Sequence, residues 1–323
     1  MLFDFKVSHV SRELETPFVI SRGAKTHADC VVVEVKFEGH VGRGECVPYQ
    51  RYGETVESAI EQLSVLKDPA YFTNLKSRLE PCAARNAVDC AFWDLRSKIA
   101  GRPVWELASL PAVDKCRVTQ TLSLDTPENM SKATDKLTDE PLIKIKLGGD
   151  QDVECVRAVR ATRPNANIIV DANEGWTKEK YIEIIPSLVE AGVEMIEQPF
   201  PEGNDGILAE LDRPIAICAD ESVHTSKDVE KLKDLYDMVN IKLDKTGGLT
   251  EALLLRRAAR NAGMTYMIGC MVGSSLSMAP AALLAQGAAY VDLDGPLFLK
   301  EDVQDSIVFK EGLMYPFSQQ LWG

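Results

Sequence analysis

From about Lys115 to Leu293, short apolar runs alternate with longer amphipathic segments. The apolar runs have the length of β-strands, and the segments between them have helical periodicity. Repeated alternation of strand and helix predicts a parallel sheet, and about eight such strands predict that the sheet closes into a barrel. The predicted strands are Arg117–Leu124, Leu142–Leu147, Ile168–Ala172, Met195–Gln198, Ile215–Ala219, Met238–Leu243, Thr265–Gly269 and Tyr290–Leu293. The predicted helices between them include Gln151–Arg163, Lys178–Ala191, Ser226–Tyr236 and Leu249–Ala262.

Residues 1 to about 110 have a different pattern, which predicts an α+β region. Lys6–Glu13 and Cys30–Glu38 alternate apolar and polar residues as strands do. Polar segments that contain glycine predict a loop over Thr16–Asp29 and a second loop over Gly42–Gly53. Three helical stretches follow, and Ala83–Ile99 has the clearest helical spacing of apolar residues.

Composition and charge exclude several classes of function. The 323 residues are 45% hydrophobic and 26% charged, which is ordinary for a globular protein. The formal net charge of −13 disfavours nucleic acids and anionic membranes as partners, because no basic surplus is present to neutralise phosphate. The 8 cysteines show no CxxC pairing and are expected to be reduced. The chain lacks a signal-peptide pattern at its start and a long apolar span, so we expect a cytoplasmic protein.

Three successive predicted strands end in a carboxylate. Asp171 ends the third strand, Glu197 the fourth, and Asp220 the fifth. In a barrel of this kind the functional residues lie at the C-terminal ends of the strands, so these carboxylates would repel one another unless a cation binds. A single acid at a strand end is more often a helix cap, but three in succession favour a site for a hard cation such as Mg²⁺.

Two of the predicted strands carry lysines that face inward. In Ile143-Lys144-Ile145-Lys146-Leu147 the alternation puts both lysines on one face, where their charges require anions nearby. An isolated pair of this kind is more often exposed, but Lys242 lies on the sixth strand, across the barrel from the second. The pattern predicts that Lys146 and Lys242 face each other across the metal. One lysine would remove a proton from a carbon and the other would return a proton to the opposite face.

The eighth predicted strand ends in a second group of carboxylates. In Asp292-Leu293-Asp294-Gly295 the two aspartates are two residues apart, which puts them on one face. Aspartates at this position are also typical of a capped turn. Beyond the three metal ligands, an anionic pair predicts that the substrate carries a cationic group, such as a free α-ammonium.

These residues resemble the enolase superfamily, in its muconate-lactonizing subgroup, and within it the dipeptide epimerases of the L-Ala-D/L-Glu type. The blocks that carry the resemblance are Lys144-Ile145-Lys146, Asp171-Ala172-Asn173, Glu197-Gln198-Pro199, Ala219-Asp220-Glu221-Ser222 and Ile241-Lys242-Leu243-Asp244-Lys245-Thr246-Gly247-Gly248. The resemblance implies a modified (β/α)₇β TIM barrel with an α+β capping domain. Residues 1–112 would form the cap, residues 113–297 the barrel, and residues 298–323 a tail that returns to the cap.

The resemblance also implies roles for individual residues. Asp171, Glu197 and Asp220 would bind one Mg²⁺ per subunit, while Lys146 and Lys242 would be the acid/base catalysts. The implied substrate ligands are Lys144 for the substrate carboxylate, Asp292 and Asp294 for the ammonium of a dipeptide, Arg22 for a glutamate side chain and Thr121 for the α-carboxylate. The expected partners are a small dipeptide, as in the turnover of cell-wall peptides, and further copies of the chain in a homo-oligomer.

Three hypotheses for function remain open. The first is a Mg²⁺-dependent epimerase acting on a dipeptide such as L-Ala-D/L-Glu. The second uses the same lysine pair as an o-succinylbenzoate synthase, an N-acylamino acid racemase or a cycloisomerase. Asp292 and Asp294 argue against it because they would repel a substrate without a cation, and so does Gly273, where many relatives carry an acid. The third is a barrel that only binds, which would be expected to have lost a lysine or a metal ligand.

Overall fold

The computed structural model describes residues 4–66, 75, 79–137 and 141–323. Its first sheet is antiparallel and has the strand order β1-β2-β3. The bounds are β1 Asp4–Ile20, β2 Gly23–Phe37 and β3 His40–Cys46. The helices described in this part of the chain are Val56–Ser64, Ala83–Ala100 and Val104–Leu107.

The β1–β2 hairpin shows that the loop predicted over Thr16–Asp29 is wrong. Pairing between the two strands continues as far as Ile20 and Gly23, with one irregularity between Glu13 and Phe18. Most side chains in this stretch are exposed on both faces of the ribbon. Such a ribbon is held largely by its backbone hydrogen bonds, and its few buried or half-buried apolar residues do not recur with the regular period of two that identifies a half-buried strand.

The first part of the predicted loop Gly42–Gly53 is also a strand, because β3 extends to Cys46. The glycines there allow close packing and do not mark a turn. A Cβ atom on Gly44 would lie 2.1 Å from the carbonyl oxygen of Ala87, on the long helix that packs against β3. We infer that side chains are excluded at this point so that the helix can lie directly on the strand.

Eight parallel strands form the second sheet, and they follow one another in chain order, which confirms the predicted barrel fold. After the short strand β4 Cys116–Arg117, they are β5 Thr119–Leu122, β6 Leu142–Lys146, β7 Asn167–Asp171, β8 Val193–Glu197, β9 Ala216–Ala219, β10 Met238–Ile241, β11 Thr265–Ile268 and β12 Tyr290–Val291. A helical segment follows each of the first seven strands. These segments are Pro127–Asp135, Asp152–Thr162, Lys178–Glu190, the 3₁₀ helix Asp205–Glu210, Val229–Leu232, Leu249–Asn261 and Ser275–Ala282.

An apolar layer fills the barrel interior beneath the strand ends. It consists of Leu142, Ile169, Met195, Cys218, Met238 and Met267. Side chains two residues apart on a strand point to the same side, so the residue two positions after each of these also faces inward. Those next residues are Lys144, Asp171, Glu197, Asp220, Asn240 and Gly269. The apolar layer is therefore the floor on which the polar groups of the candidate site lie.

The C-terminal segment runs back along the chain's earlier elements. Strands β13 Phe309–Lys310 and β14 Leu313–Met314 form a small sheet with β4. The indole of Trp322 donates a hydrogen bond of 3.1 Å to the carbonyl oxygen of Cys90, on the helix Ala83–Ala100. Within the described ranges, no helix has the length and apolar character needed to cross a membrane.

Candidate active site

The strand register brings the three predicted metal ligands together. Asp171 of β7 pairs with Glu197 of β8, and Lys146 of β6 pairs with Asp171. Glu197 pairs with Cys218, and Asp220 follows two residues later, so it points to the same side of the sheet. Asp171 and Glu197 are fully buried, and Asp220 is 2% exposed. The three carboxylates therefore project from neighbouring strand ends into the barrel mouth.

Each of these carboxylates contacts a lysine. The distances are 2.6 Å between Lys146 Nζ and Asp171 Oδ2, 2.6 Å between Lys144 Nζ and Glu197 Oε2, and 2.7 Å between Lys242 Nζ and Asp220 Oδ2. Burial opposes the charge of Lys242, but Asp220 and Glu197 outweigh it and raise the pKa of its ammonium above the usual value. In this arrangement the carboxylates keep Lys242 protonated. It can act as a base only after Asp220 has found another partner.

Lys144 lies at the centre of the cluster. Its Nζ is also 3.2 Å from Asp171 and 2.7 Å from Asp292, and the residue is 1% exposed. Burial opposes its charge, but the carboxylates of Asp292, Glu197 and Asp171 together raise the pKa of Lys144 well above its usual value. Lys144 is therefore a fixed positive charge in the site.

The carboxylates themselves differ in their protonation. Burial and the charge of Asp171 raise the pKa of Glu197 to about 7. Burial also opposes the charge of Asp171, but Lys146 and Lys144 hold its pKa below the usual value. The lysines therefore stabilise Asp171 as an anion, whereas Glu197 lacks enough positive charge for the same effect.

Two buried residues of this cluster were not assigned a role from the sequence. Lys245 Nζ lies 2.6 Å from Asp220 Oδ1, and Asn240 Nδ2 donates a hydrogen bond of 2.7 Å to Glu197 Oε1. Lys245 follows the end of β10, in the helical turn Leu243–Thr246, where the period of two no longer predicts which side chains face inward. Asn240 could have been found, because it lies two residues before Lys242 on the same strand.

The donor set of Asp171, Glu197 and Asp220 fits a hard divalent cation, which prefers oxygen ligands. In the part of the chain that the structure describes, no three Asp, Glu, His or Cys side chains form a ready-made metal cluster, and the carboxylates face ammonium groups instead. Among the described residues, two buried oxygens on β8 and β10 nevertheless lack a hydrogen bond. They are Glu197 Oε2, which has only the ion contact with Lys144, and Asn240 Oδ1. Unsatisfied acceptors of this kind favour an additional cation at this position.

Asp292 and Asp294 lie beside the first barrel strand. Asp292 accepts hydrogen bonds of 2.6 Å from Thr119 Oγ1 and 2.7 Å from Lys144, and Asp294 accepts one of 2.7 Å from the Thr121 amide. Burial and the charge of Asp292 raise the pKa of Asp294 to about 7. Among the described residues no lysine or arginine pairs with Asp294, so this carboxylate is available to a cationic ligand. The role predicted for Thr121, binding an α-carboxylate, stays a prediction.

Arg22 lies at the tip of the β1–β2 hairpin, above the barrel mouth. Its Nη2 is 2.8 Å from Glu221, while its Nη1 is 3.1 Å from Glu174 and donates to the carbonyl oxygen of Asn173 at 2.8 Å. Arg51 holds Glu174 through two hydrogen bonds of 2.8 and 2.7 Å. The sequence did not predict these two glutamates as partners of Arg22, although Glu221 directly follows the metal-ligand candidate Asp220.

A cavity of about 1080 Å³ connects these groups. It is lined by Lys146, Lys242, Asp220, Asp292, Asp294 and Arg22, among others. Carboxylates, two lysines and an arginine therefore line one opening. This arrangement can bind a small zwitterionic molecule and move protons on it.

The comparisons with protein families cover most of the chain. Residues 130–317 match the family described as enolase C-terminal domain-like. Residues 3–108 match the N-terminal domain of the mandelate racemase / muconate lactonizing enzyme family. The two matches lie on the barrel and on the preceding α+β region, respectively.

Two curated relatives align with the chain over nearly their whole length. An N-acetyl-D-glutamate racemase from Pseudoalteromonas is 42% identical over 299 residues, which is 91% of this chain and 95% of the relative. The L-Ala-D/L-Glu epimerase of Escherichia coli K12 is 40% identical over 316 residues, which is 96% of this chain and 98% of the relative. Both act on a glutamate derivative.

Two solved structures have the same fold throughout. One is an enolase family member from Agrobacterium tumefaciens with homology to dipeptide epimerases, solved with bound sodium and L-Ala-L-Glu. It is 44% identical, with a TM-score of 0.96 over 99% of this chain and 100% of that one. The other is a dipeptide epimerase from Cytophaga hutchinsonii complexed with Mg and D-Ala-L-Val. It is 28% identical, with a TM-score of 0.92 over 100% of this chain and 95% of that one. With both parts of the chain matched, this protein belongs to the enolase superfamily, in its mandelate racemase and muconate-lactonizing branch.

Proposed function

We propose that this chain is a Mg²⁺-dependent dipeptide epimerase that inverts the α-carbon of the C-terminal residue of L-Ala-D/L-Glu. The observation that carries the proposal is the placement of Lys146 and Lys242 on the second and sixth strands of the eight-stranded sheet. Both lysines line the cavity, and each contacts a different carboxylate of the candidate metal site. Two bases on opposite walls are what inversion of a carbon by proton transfer requires.

The residues divide the chemistry between them. Asp171, Glu197 and Asp220 would hold the metal, which when bound would supply Lewis-acid stabilisation of negative charge on the substrate carboxylate. Lys146 and Lys242 exchange protons with the two faces of the α-carbon. Lys242 becomes a base once Asp220, which helps to keep it charged, is engaged elsewhere.

The remaining charged residues hold the substrate in place. Lys144, a fixed cation, faces the substrate carboxylate. Asp292 and Asp294 receive the ammonium of the dipeptide, and among the described residues no lysine forms an ion pair with Asp294. Arg22 also lines the cavity, and it binds the side chain of the C-terminal residue.

Proton exchange at the α-carbon gives the direct test. L-Ala-L-Glu is incubated with the protein and Mg²⁺ in D₂O, and proton NMR follows the α-hydrogen of glutamate. We expect deuterium to replace this hydrogen while L-Ala-D-Glu accumulates. Absence of exchange with every member of a dipeptide library would reject the proposed activity.

A second candidate is the racemisation of N-acetylglutamate, which the Pseudoalteromonas relative favours. Asp292 and Asp294 distinguish the two, because an N-acetylated substrate has no ammonium for them to bind. The double substitution Asp292→Asn with Asp294→Asn should raise KM for the free dipeptide. It should thereby reduce the difference between the KM values of the free and the N-acetylated dipeptide. If the wild-type protein already prefers N-acylated substrates to free dipeptides, the result would support racemisation as the function.

We further propose the organisation around this activity. Residues 1–112 and the tail 298–323 form a cap over the catalytic barrel of residues 113–297, and the contact between Trp322 and Cys90 supports this division. The protein is expected to act in the cytoplasm as a homo-oligomer, on peptides from cell-wall turnover. Light scattering after gel filtration measures the oligomeric state.

A further inference from the structure

The guanidinium of Arg22 already has partners on both of its terminal nitrogens. Nη1 donates to the carbonyl oxygen of Asn173 and to Glu174, while Nη2 donates to Glu221 and, at 3.2 Å, to the hydroxyl of Tyr49. The side chain of Arg22 is 25% exposed and lines the cavity while it keeps these hydrogen bonds. An incoming carboxylate must therefore share Arg22 with anions of the protein.

The two glutamates that contact Arg22 are not equivalent. Glu174 receives two hydrogen bonds from Arg51 and a third, of 2.8 Å, from the amide of Glu202. Its charge is thus neutralised without Arg22. Glu221 is 1% exposed, and within the described residues its buried Oε2 has no hydrogen-bond partner, while Arg22 is the cation that contacts its other oxygen.

We propose that Glu221 is a specificity-determining residue, and that the Arg22–Glu221 pair makes the site accept a carboxamide side chain, that of glutamine, about as well as a glutamate side chain. The inference rests on the proposed dipeptide epimerase function and names its substrate class more closely. Both residues line the same cavity as Asp292 and Asp294.

The chemistry of the pair gives the reason. A carboxylate beside Arg22 also lies beside the carboxylate of Glu221, and the repulsion between them offsets the attraction to the guanidinium. A carboxamide has an oxygen that accepts from Arg22 and an N–H that donates to the unsatisfied oxygen of Glu221. Arg22 alone would favour the anion, whereas Arg22 with Glu221 also accommodates a neutral group with one donor and one acceptor.

The test compares L-Ala-L-Glu with L-Ala-L-Gln in the Mg²⁺-loaded full-length protein, by the ratio of their kcat/KM values for α-hydrogen exchange. We expect both wild-type values to agree within about tenfold, and Glu221→Gln to raise the Glu/Gln ratio by about tenfold or more, because it removes the like charge. The control is Glu202→Gln. Glu202 is 3.4 Å from Arg51 in the same network, and this change should leave the ratio within about twofold of wild type.

The outcomes separate this inference from the proposed function. The role of Glu221 would be overturned if both dipeptides exchange and Glu221→Gln leaves the ratio of their kcat/KM values unchanged. The epimerase proposal would then stand. If Glu221→Gln does not fold, calorimetric binding of both dipeptides to the wild-type protein decides. Dissociation constants within about tenfold support the inference, and a preference for glutamate of more than about a hundredfold overturns it. Absence of exchange with any dipeptide would instead reject the function itself.

Discussion

Lys144 Nζ lies 2.6 Å from Glu197 Oε2, and both residues are almost completely buried. In the part of the chain that the structure describes, this oxygen has no hydrogen bond in addition to the ion contact. A lysine at this point balances carboxylates that would otherwise repel one another across neighbouring strand ends. Asp171, Glu197 and Asp220 would hold a divalent ion only in competition with these ammonium groups, so the lysines would need other partners when the ion is bound.

Removal of the metal should abolish α-hydrogen exchange, and added Mg²⁺ should restore it, because the lysines alone cannot stabilise the charge that develops on the substrate carboxylate. Mg²⁺ should also raise the Tm, since it binds the folded state. Chelation followed by Mg²⁺ titration measures both. The matched control is Asp220→Asn, in which Mg²⁺ should restore little activity. Full turnover after exhaustive metal removal would show that the three acids are not a metal site.

Arg22→Met should weaken turnover of L-Ala-L-Glu much more than that of L-Ala-L-Leu. Only the acidic side chain loses a charge-assisted pair, which contributes roughly 1.5–3 kcal/mol. The substitution also leaves Glu221 without its counter-ion, so a carboxylate of the protein then faces the carboxylate of the substrate. The kcat/KM values of the two dipeptides provide the measurement. Equal losses for both would mean that Arg22 does not contact the side chain.

Gly44→Ala should destabilise the protein by roughly 1–3 kcal/mol or more, as overpacking typically does. The added methyl would lie 2.1 Å from the carbonyl oxygen of Ala87, and neither the strand nor the helix can move without disturbing its neighbours. Urea unfolding measures the free energy of unfolding. Gly206→Ala is the control, because a Cβ atom there meets nothing within 4 Å. Similar stability of the two variants would contradict the packing argument.

Asp244→Asn should be more stable than the wild type, and the difference in the free energy of unfolding should grow as the pH rises from 5 to 8. Burial raises the pKa of Asp244 to about 7, although the side chain of Asn86 and the amide of Val47 donate hydrogen bonds to it. An aspartate in the unfolded chain releases its proton near pH 4, so between about 4 and 7 the folded state holds a proton that the unfolded state has lost. Rising pH therefore favours unfolding of the wild type. Asp244 lowers its free energy of unfolding by roughly 1–4 kcal/mol in this way.

Urea unfolding of both proteins at pH 5 and pH 8 checks this effect of Asp244. The exposed residue Asp234 provides the control, because Asp234→Asn should change stability equally at both pH values. A difference between wild type and Asp244→Asn that does not grow with pH would mean that Asp244 is not held protonated.

The sequence predicted the barrel because its signal is local. Each strand has apolar residues on the face that packs against the helices, and the acids at successive strand ends mark the mouth of the barrel. The exposed part of the β1–β2 hairpin could not be found in this way, since Gly23–His27 are exposed and no apolar period identifies them as a strand. The same lack of a local signal affects β3, where the glycines reflect packing against a helix that lies far away in the sequence.

The site residues that lie on strands could be predicted, because the alternation of a strand decides which side chains face the site. Contacts between loops that are far apart in the sequence could not be predicted. Alternation along β6 was enough to single out Lys144 and Lys146. The pairing of Arg22 with Glu221 depends on a hairpin tip reaching the end of the fifth barrel strand, which no pattern within either segment specifies. A charged residue next to a predicted metal ligand is therefore a candidate for an ion pair with a charged residue of another loop.

The opposed lysines give the most direct test of the mechanism. If Lys146 and Lys242 stand on opposite faces of the α-carbon, each meets the proton of only one configuration. Replacing either lysine by alanine should abolish epimerisation in both directions, since inversion needs both. The remaining lysine can still remove its own proton and, in D₂O, return a deuteron to the same face.

Lys146→Ala and Lys242→Ala should therefore each exchange the α-hydrogen of one epimer without inverting it, and they should act on opposite epimers. From the subgroup resemblance we expect Lys146 to serve the L configuration and Lys242 the D configuration. NMR of L-Ala-L-Glu and L-Ala-D-Glu in D₂O measures exchange, and chiral chromatography measures inversion. General acid–base groups typically contribute about 10²–10⁴-fold, so a weak background does not obscure the result. Lys233→Ala, in an exposed ion pair with Glu230, is the control and should epimerise as wild type does. Exchange of the same epimer by both variants, or epimerisation by either at a near wild-type rate, would mean that the proton-transfer groups lie elsewhere in the barrel.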